Sequence, residues 1–310
     1  MSHLFGPVPS RRLGLSLGVD LVPPKTCTFD CLYCEVGRTT HLTRRRQPYR
    51  VKEIIRELAD YLAAPSSDLN YVTMAGSGEP TLNLGIGEII TAAKRCTDTP
   101  VAVLTNGSLF YLPEVRAAVA DSDVILPSLD AGREETFRRI NRPHPALTLD
   151  LVVSGLKALR REYAGQIWLE IMVLKDLNDR EEELTALKGL LRELAPDRVQ
   201  LNTAVRPVAD KAARPLTPEE MTAVARFLGE NIEVTAASRR SAPERLGLKD
   251  RDLLDMLARR PMTAGDLAQA LGLSLVQVRE RLGRLLKSGL VSRHMHREED
   301  FYRSLITSTP

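Results

Sequence analysis

The chain has 310 residues, too many for one ordinary small domain and a fit for a barrel of about 250 residues with a small partner. At 43% hydrophobic and 27% charged it sits at the globular average, which excludes wholesale disorder, and its formal net charge is only +3. No apolar run approaches the roughly 18 residues that span a bilayer, and the opening MSHLFGPVPSRR has no apolar signal core, so no membrane contact and a cytoplasmic location are expected.

From about residue 15 to residue 235, short runs rich in Val, Ile and Leu alternate with stretches of helical period. The runs are LSLGVD (15–20), YVTMAG (71–76), VAVLTNG (101–107), DVILPSLD (123–130), IWLEIMVL (167–174) and RVQLNTAV (198–205). Between them VKEIIRELADYLA (51–63), LGIGEIITAAKRC (84–96) and REEELTALKGLLREL (180–194) repeat apolar residues at three and four. Six strand-then-helix units predict a parallel sheet with right-handed crossovers. The unusual polar clusters follow the ends of several strands, which suits a barrel rim better than one switch point of a doubly wound sheet. The expected class is therefore α/β, a partial (β/α)6 TIM-like barrel with a small C-terminal winged helix-turn-helix domain.

The barrel is expected over 1–236, a linker over 237–249 and the winged helix over 250–310. In the last segment RDLLDMLARR reads as a helix stopped by Pro261, Thr263 caps AGDLAQAL, and Gly272 ends it. Ser274 caps LVQVRERLGRLLKSG, and LVSRHMH pairs with DFYRSLI across REED. The charge excess lies here: residues 248–310 carry 11 basic and 8 acidic residues, while 1–247 balance at 32 and 32.

Three of the four cysteines stand as Cys-x-x-x-Cys-x-x-Cys at Cys27, Cys31 and Cys34, too few for a disulfide scaffold and too close for chance. Three thiolates on one loop suit three irons of a 4Fe-4S cluster with the fourth iron left open. A structural zinc site needs a fourth ligand, which neither His3 nor His41 offers at useful spacing. Cys96, alone on a predicted helix, reads as a core thiol.

With its aromatic Tyr33 just before the last cysteine, this loop resembles that of the radical S-adenosylmethionine superfamily, and the order of motifs carries the likeness over roughly residues 4–235. Within it, GPVPSRRLGLSLGVDLVPPKTCTFDCLYCEVGRTT looks like the wyosine-synthetase-related group of Fe-S oxidoreductases. Members of that group that form tricyclic tRNA bases carry three further cysteines before the loop, whereas residues 1–26 here contain none. The resemblance implies reductive cleavage of S-adenosylmethionine at the cluster, giving a 5'-deoxyadenosyl radical that takes hydrogen from an unassigned substrate. It also implies an external electron donor of flavodoxin or ferredoxin type.

The resemblance implies roles for other residues. Gly76, Ser77, Gly78, Glu79 and Pro80 resemble the family's glycine-glycine-glutamate-proline motif, with an acceptor-rich edge for the cofactor ammonium and Glu79 accepting hydrogen bonds or bracing the loop. Tyr33 would pack near the adenine, and Ser128 with Asp130, two apart on one strand face, would meet the ribose or the methionyl carboxylate. Weaker candidates at the same rim are Thr105, Asn106, Glu170, Asn202 and Arg206. Arg11 and Arg12 suit a substrate carboxylate or phosphate, and the Arg44–Arg46 run suits either steering or a solvated surface. Helix residues Gln277, Arg281, Arg284 and Ser288 form a polar stripe opposite Val278, Leu282 and Leu285, suited to a nucleic acid, with docking, peptide recognition or dimerisation as the alternatives. His294 and His296 read as an exposed wing. The alternative to an enzyme is a redox-sensing Fe-S regulator that binds nucleic acid through the winged helix, but a sensor does not require the GSGEP and strand-end machinery.

Overall fold

A computed structural model describes residues 3–10, 12–63, 69–230, 232–235 and 250–306. The expected linker, 237–249, and Arg11 lie outside the described residues.

The chain opens with β1 (Leu4–Ser10) and β2 (Gly14–Asp20), followed by the two-residue strands β3 (Thr26–Cys27) and β4 (His41–Leu42) around the cysteine loop. The alternation then runs α1 (Val51–Leu62), β5 (Tyr71–Ala75), α2 (Ile86–Cys96), β6 (Val101–Thr105), α3 (Pro113–Val119) and β7 (Val124–Pro127). It continues with α4 (Glu134–Asn141), α5 (Leu149–Glu162), β8 (Gln166–Val173), α6 (Glu181–Leu194), β9 (Arg198–Thr203), α7 (Pro218–Leu228) and β10 (Ile232–Val234). All six expected strands are present. With β1 and β10 they form one eight-stranded sheet in the order β1-β2-β5-β6-β7-β8-β9-β10, parallel from β2 onward, with no pairing between its two edges among the described residues.

The sequence reading missed both edge strands. The sequence FGPVPS carries Pro7 and Pro9, which cannot donate to a ladder, and β1 accordingly occupies an edge, antiparallel to β2. β10 has only three residues, too short to register as a period.

Alternation along the strands separates two faces. Leu17, Val19, Val72, Met74, Val101, Val103, Ile125, Leu169, Ile171 and Leu201 pack in one cluster with helix residues such as Ile54, Leu58, Ile89, Ile90, Val115, Leu156 and Leu187. Burying each such side chain contributes roughly 1.5–3 kcal/mol. The opposite face is smaller and more polar, presenting Ser16, Thr73, Ser128, Glu170 and Asn202 to the barrel interior.

The C-terminal segment builds α8 (Asp250–Arg259), β11 (Met262–Thr263), α9 (Ala264–Leu271), α10 (Leu275–Lys287), β12 (Val291–His296) and β13 (Glu299–Ser304). Its caps are the expected ones. Thr263 and Asp266 form a capping box, Gly272 ends α9 at φ 63°, and Ser274 pairs reciprocally with Gln277. The hairpin turn is tighter than REED, since Arg297 and Glu298 alone connect the strands, both at positive φ. Leu253, Leu257, Leu267, Val278, Leu282, Leu285 and Tyr302 form its core, and Val8 of β1 packs against that core.

Candidate functional site

The cysteine loop is held by backbone bonds to the loop after β5, to α4 and to the segment that follows β9. Lys25 N–H donates to Ser77 O at 2.7 Å, Glu79 N–H to Thr26 O at 3.0 Å, Leu32 N–H to Ile140 O at 2.9 Å and Asp210 N–H to Leu32 O at 3.0 Å. Cys27, Cys31 and Cys34 are each half-buried, Cys34 is near enough to raise the proton affinity of Cys27, and both raise that of Cys31. Burial chiefly pushes the Cys27 thiol up to about 12 and lifts Cys31 and Cys34 as well. Iron held by these sulfurs would reverse that balance, since a metal takes the thiolate form. Asn106 Nδ2 lies 3.5 Å from Cys27 Sγ, and Asn141 Nδ2 lies 3.6 Å from Cys31 Sγ. No three His, Cys, Asp or Glu side chains close to single-ion distance among the described residues.

The GSGEP loop divides into a lumenal part and a buried part. Gly76 and Ser77 line the barrel cavity, while Gly78, Glu79 and Pro80 do not. Gly76 has φ +132°, and a Cβ there would stand 1.8 Å from Asp20 Oδ1; a Cβ at Gly78 would stand 2.1 Å from Thr26 O. Both glycines thus permit close approach to the neighbouring strand end and the cysteine loop. Asp20 Oδ1 accepts the Ser77 N–H at 2.7 Å, and its Oδ2 accepts the Ser77 hydroxyl at 3.1 Å. Glu79 is buried and accepts from Thr81 N–H (3.0 Å), Thr81 Oγ1 (2.5 Å), Thr105 Oγ1 (2.6 Å) and Asn106 N–H (2.8 Å). It ties β5 to β6, and burial raises its proton affinity despite those donors.

Asp130 is similarly occupied. The Tyr33 phenol and Asn141 Nδ2, the latter at 2.7 Å, donate to its Oδ2, and Met172 N–H donates to Oδ1 at 2.9 Å. Burial raises its carboxyl to about 6 against the pull of those bonds. Its acceptors are largely spent on joining the cysteine loop to β7, α4 and β8. Ser128 stands beside it on the cavity wall.

The cavity has a volume of about 330 Å³, within the range of small-molecule sites. Tyr33, Cys34, Gly76, Ser77, Ser128 and Asp130 line it together with Arg12, Glu170, Asn202 and Arg206. Arg12 crosses the barrel from the β1–β2 loop to pair with Glu170, which also accepts from Asn202 Nδ2. Thr105 Oγ1 and the Asn106 N–H donate to Glu79 instead, and the Asn106 side chain donates to Thr28 Oγ1 at 2.7 Å beside the cysteine loop. Ser16 and Thr73, hydrogen-bonded to each other on the lumen wall, were missed; the available signal was a hydroxyl at alternate positions of two apolar strands. Glu35, Arg259 and Arg260 were also missed as cavity residues, because they come from an ordinary-looking loop and from the other end of the chain.

Several sequence candidates lie elsewhere. Arg46 Nε donates to Thr81 O at 2.9 Å and Arg44 Nη1 to Tyr111 Oη at 3.1 Å, so this run is partly structural. Cys96 is exposed at the last residue of α2, which corrects its reading as a core thiol: the apolar face of α2 ends with Ala93. Of the predicted stripe, Arg281 and Arg284 stand 3.6 and 3.8 Å from Asp250. His294 is exposed and shares a 3.0 Å contact with Ser292.

Comparison with known proteins adds identity to this geometry. The sequence model of the Radical SAM superfamily matches residues 21–187, and that of a helix-turn-helix domain matches 251–294. A Methanocaldococcus jannaschii protein named UPF0026 protein MJ1312 is 36% identical over 75% of this chain and 73% of its own. A Brachyspira hyodysenteriae protein named GTPase Obg is 39% identical over 93% of this chain, which spans only 43% of that protein's length. The present sequence has no Gly-Lys dipeptide and hence no G-x-x-x-x-G-K-[ST] phosphate loop. A solved structure described as native anSMEcpe with bound AdoMet aligns over 66% of this chain and 57% of its own at a TM-score of 0.50 and 16% identity, a likeness of fold.

Proposed function

Because the chain belongs to the Radical SAM superfamily, we propose that it is an enzyme in which Cys27, Cys31 and Cys34 hold a 4Fe-4S cluster and the adjoining cavity receives S-adenosylmethionine and substrate. The observation that carries this reading is the opening of the three-thiol loop onto a lined cavity, through Cys34 and Tyr33. When bound, the cluster and S-adenosylmethionine supply one-electron cleavage to a 5'-deoxyadenosyl radical and hydrogen abstraction from the substrate. The protein supplies placement and exclusion of water.

Gly76 and Ser77 present backbone acceptors and a hydroxyl to the cofactor's amino acid end, with Asp20 fixing their orientation. Ser128 and the remaining acceptor of Asp130 serve its polar groups, and Tyr33 is held by Asp130 beside them. Gly78, Glu79 and Pro80 hold the loop in place from behind. Asn106 and Asn141 direct amide donors at two thiolate sulfurs, a contact that tunes cluster potential.

The barrel comprises residues up to 236, the linker 237–249 and the winged helix 250–310. An external flavodoxin- or ferredoxin-type protein delivers the electron. No described helix is long and apolar enough to cross a membrane, and we assign the enzyme to the cytoplasm, where a reductant is at hand. The polar side of α10, with Gln277 and Arg284 exposed, suits a nucleic-acid or peptide partner, but a regulator with no reaction would not need the built lumen. Anaerobic reconstitution, dithionite reduction and addition of S-adenosylmethionine should yield 5'-deoxyadenosine. A fully loaded cluster that yields none would overturn the enzyme reading.

A further inference from the structure

The C-terminal domain roofs the cavity. Met256, Arg259, Arg260 and Met262 line it from that side, facing the strand residues of the barrel. The domain is tied down at several points. Arg259 Nε lies 3.1 Å from Asp20 Oδ2, its guanidinium stacks on Phe5 at 4.7 Å, Arg206 of the barrel lies 3.6 Å from Asp266 of α9, and Arg303 Nη2 donates to Val36 O at 3.4 Å.

Four arginines line this cavity, and their carboxylates are unequally shared. Arg12 pairs with Glu170, Arg259 with Asp20, and Arg206 with Glu35 at 3.2 Å and with Asp266 at 3.6 Å. Arg260 has the same Glu35 Oε2 as its nearest carboxylate oxygen, 3.6 Å away and already claimed by Arg206. Its side chain keeps 29% of its surface open, and its place at the end of α8 with Pro261 next sets it at the cavity wall. Arg260 thus has within ion-pair distance only a carboxylate that Arg206 holds more closely, at the wall of a cavity of mixed apolar and polar lining.

We infer that the cavity takes a substrate carrying a carboxylate or phosphate group, and that Arg260 of the C-terminal domain binds that group, so that the substrate site is incomplete without this domain. The inference rests on the reading of this cavity as the reaction chamber. A planar guanidinium offers two parallel donors to either anion, and low local polarity strengthens the contact. Burial, with the nearby positive charges of Arg206 and Arg12, depresses the Arg260 pKa to about 10, which leaves it charged at neutral pH and favours an added anion.

The test uses the full chain with its cluster reconstituted and titrates inorganic phosphate and malonate, by calorimetry, into wild type, Arg260→Gln and Arg260→Lys. Wild type should bind at least one anion. Arg260→Gln should weaken it roughly tenfold to a hundredfold and Arg260→Lys should recover part of the loss, with S-adenosylmethionine affinity within about twofold of wild type. Phosphate binding alone assigns a phosphorylated substrate, and malonate binding alone a carboxylate. Equal anion binding by wild type and Arg260→Gln, or no binding by wild type, overturns the inference. So does a parallel loss of S-adenosylmethionine affinity, which would give the guanidinium to the cofactor's own carboxylate. Absence of 5'-deoxyadenosine with anion binding intact would instead strike at the enzyme reading, so the two failures are separable.

Discussion

Arg259 of the C-terminal domain meets Asp20 at the end of β2, Nε to Oδ2 at 3.1 Å, while the same carboxylate holds the Ser77 hydroxyl at 3.1 Å and N–H at 2.7 Å. One side chain therefore joins the first parallel strand, the GSGEP loop and the domain that roofs the cavity. Both side chains of the ion pair are close to fully buried, at 11% and 12% exposure. Asp20→Ala removes the carboxylate from a desolvated guanidinium and two donors of Ser77 at once, and should cost about 3–5 kcal/mol in urea denaturation. Asp20→Asn keeps an acceptor for Ser77 and should cost less. A loss in Asp20→Ala below about 1 kcal/mol would mean that the pair is open to water in solution.

Glu79 makes a different demand on its neighbours, because four donors converge on one acceptor-only group. Glu79→Gln substitutes an amide whose –NH2 must face some of those donors. It should destabilise by about 1–3 kcal/mol for each buried donor left unmatched. The effect should appear in the denaturation midpoint of protein free of cofactor, since Glu79 does not line the cavity.

The fold was legible where periodicity is strong and the site only where spacing is short. Six apolar runs located six strands because the helix-covered strand face is apolar throughout and part of the other face, at Ala102, Val124, Leu126 and Trp168, is apolar as well. The edge strands escaped for opposite reasons, β1 through its prolines and β10 through its length. The C-terminal caps were readable because Thr263, Gly272 and Ser274 act on their own next few residues. What could not be read was how distant residues share a carboxylate. Asp130 looked like a ligand for a diol, yet Tyr33, Asn141 and Met172 occupy it from three other segments. Arg206, Glu35 and Arg260 meet only once the C-terminal domain is docked, so no local pattern marks them as a group.

Glycine substitutions offer a direct check on the close approach between the GSGEP loop and its neighbours. Gly78→Ala would drive a Cβ to 2.1 Å from Thr26 O, and Gly76→Ala adds a strained φ of +132° to a 1.8 Å clash with Asp20 Oδ1. Each should cost about 3 kcal/mol or more and displace the loop. Gly189 in α6 and Gly283 in α10 have nothing within 4 Å of such a Cβ. Their alanine variants should be stabilised by about 0.5–1 kcal/mol through helix propensity. Thermal melts of the four variants should thus move in opposite directions, and a neutral Gly76→Ala would contradict the loop geometry.

The four cysteines should separate cleanly in metal content. Alanine at Cys27, Cys31 or Cys34 removes one of three facing thiolates, and a cluster held by two protein ligands is lost to chelators. Each variant should therefore retain far less iron and acid-labile sulfide after anaerobic reconstitution and desalting, with the broad charge-transfer absorbance gone. Cys96→Ala should match wild type in both, because its side chain is exposed at the last residue of α2, away from the loop. Folding must be scored alongside iron, since Cys27 and Cys31 pack against the main hydrophobic cluster. Far-ultraviolet circular dichroism of the metal-free variants should overlay that of metal-free wild type. Equal iron loading in Cys34→Ala and wild type would remove Cys34 from the ligand set, and with it the thiol that opens the loop onto the cavity.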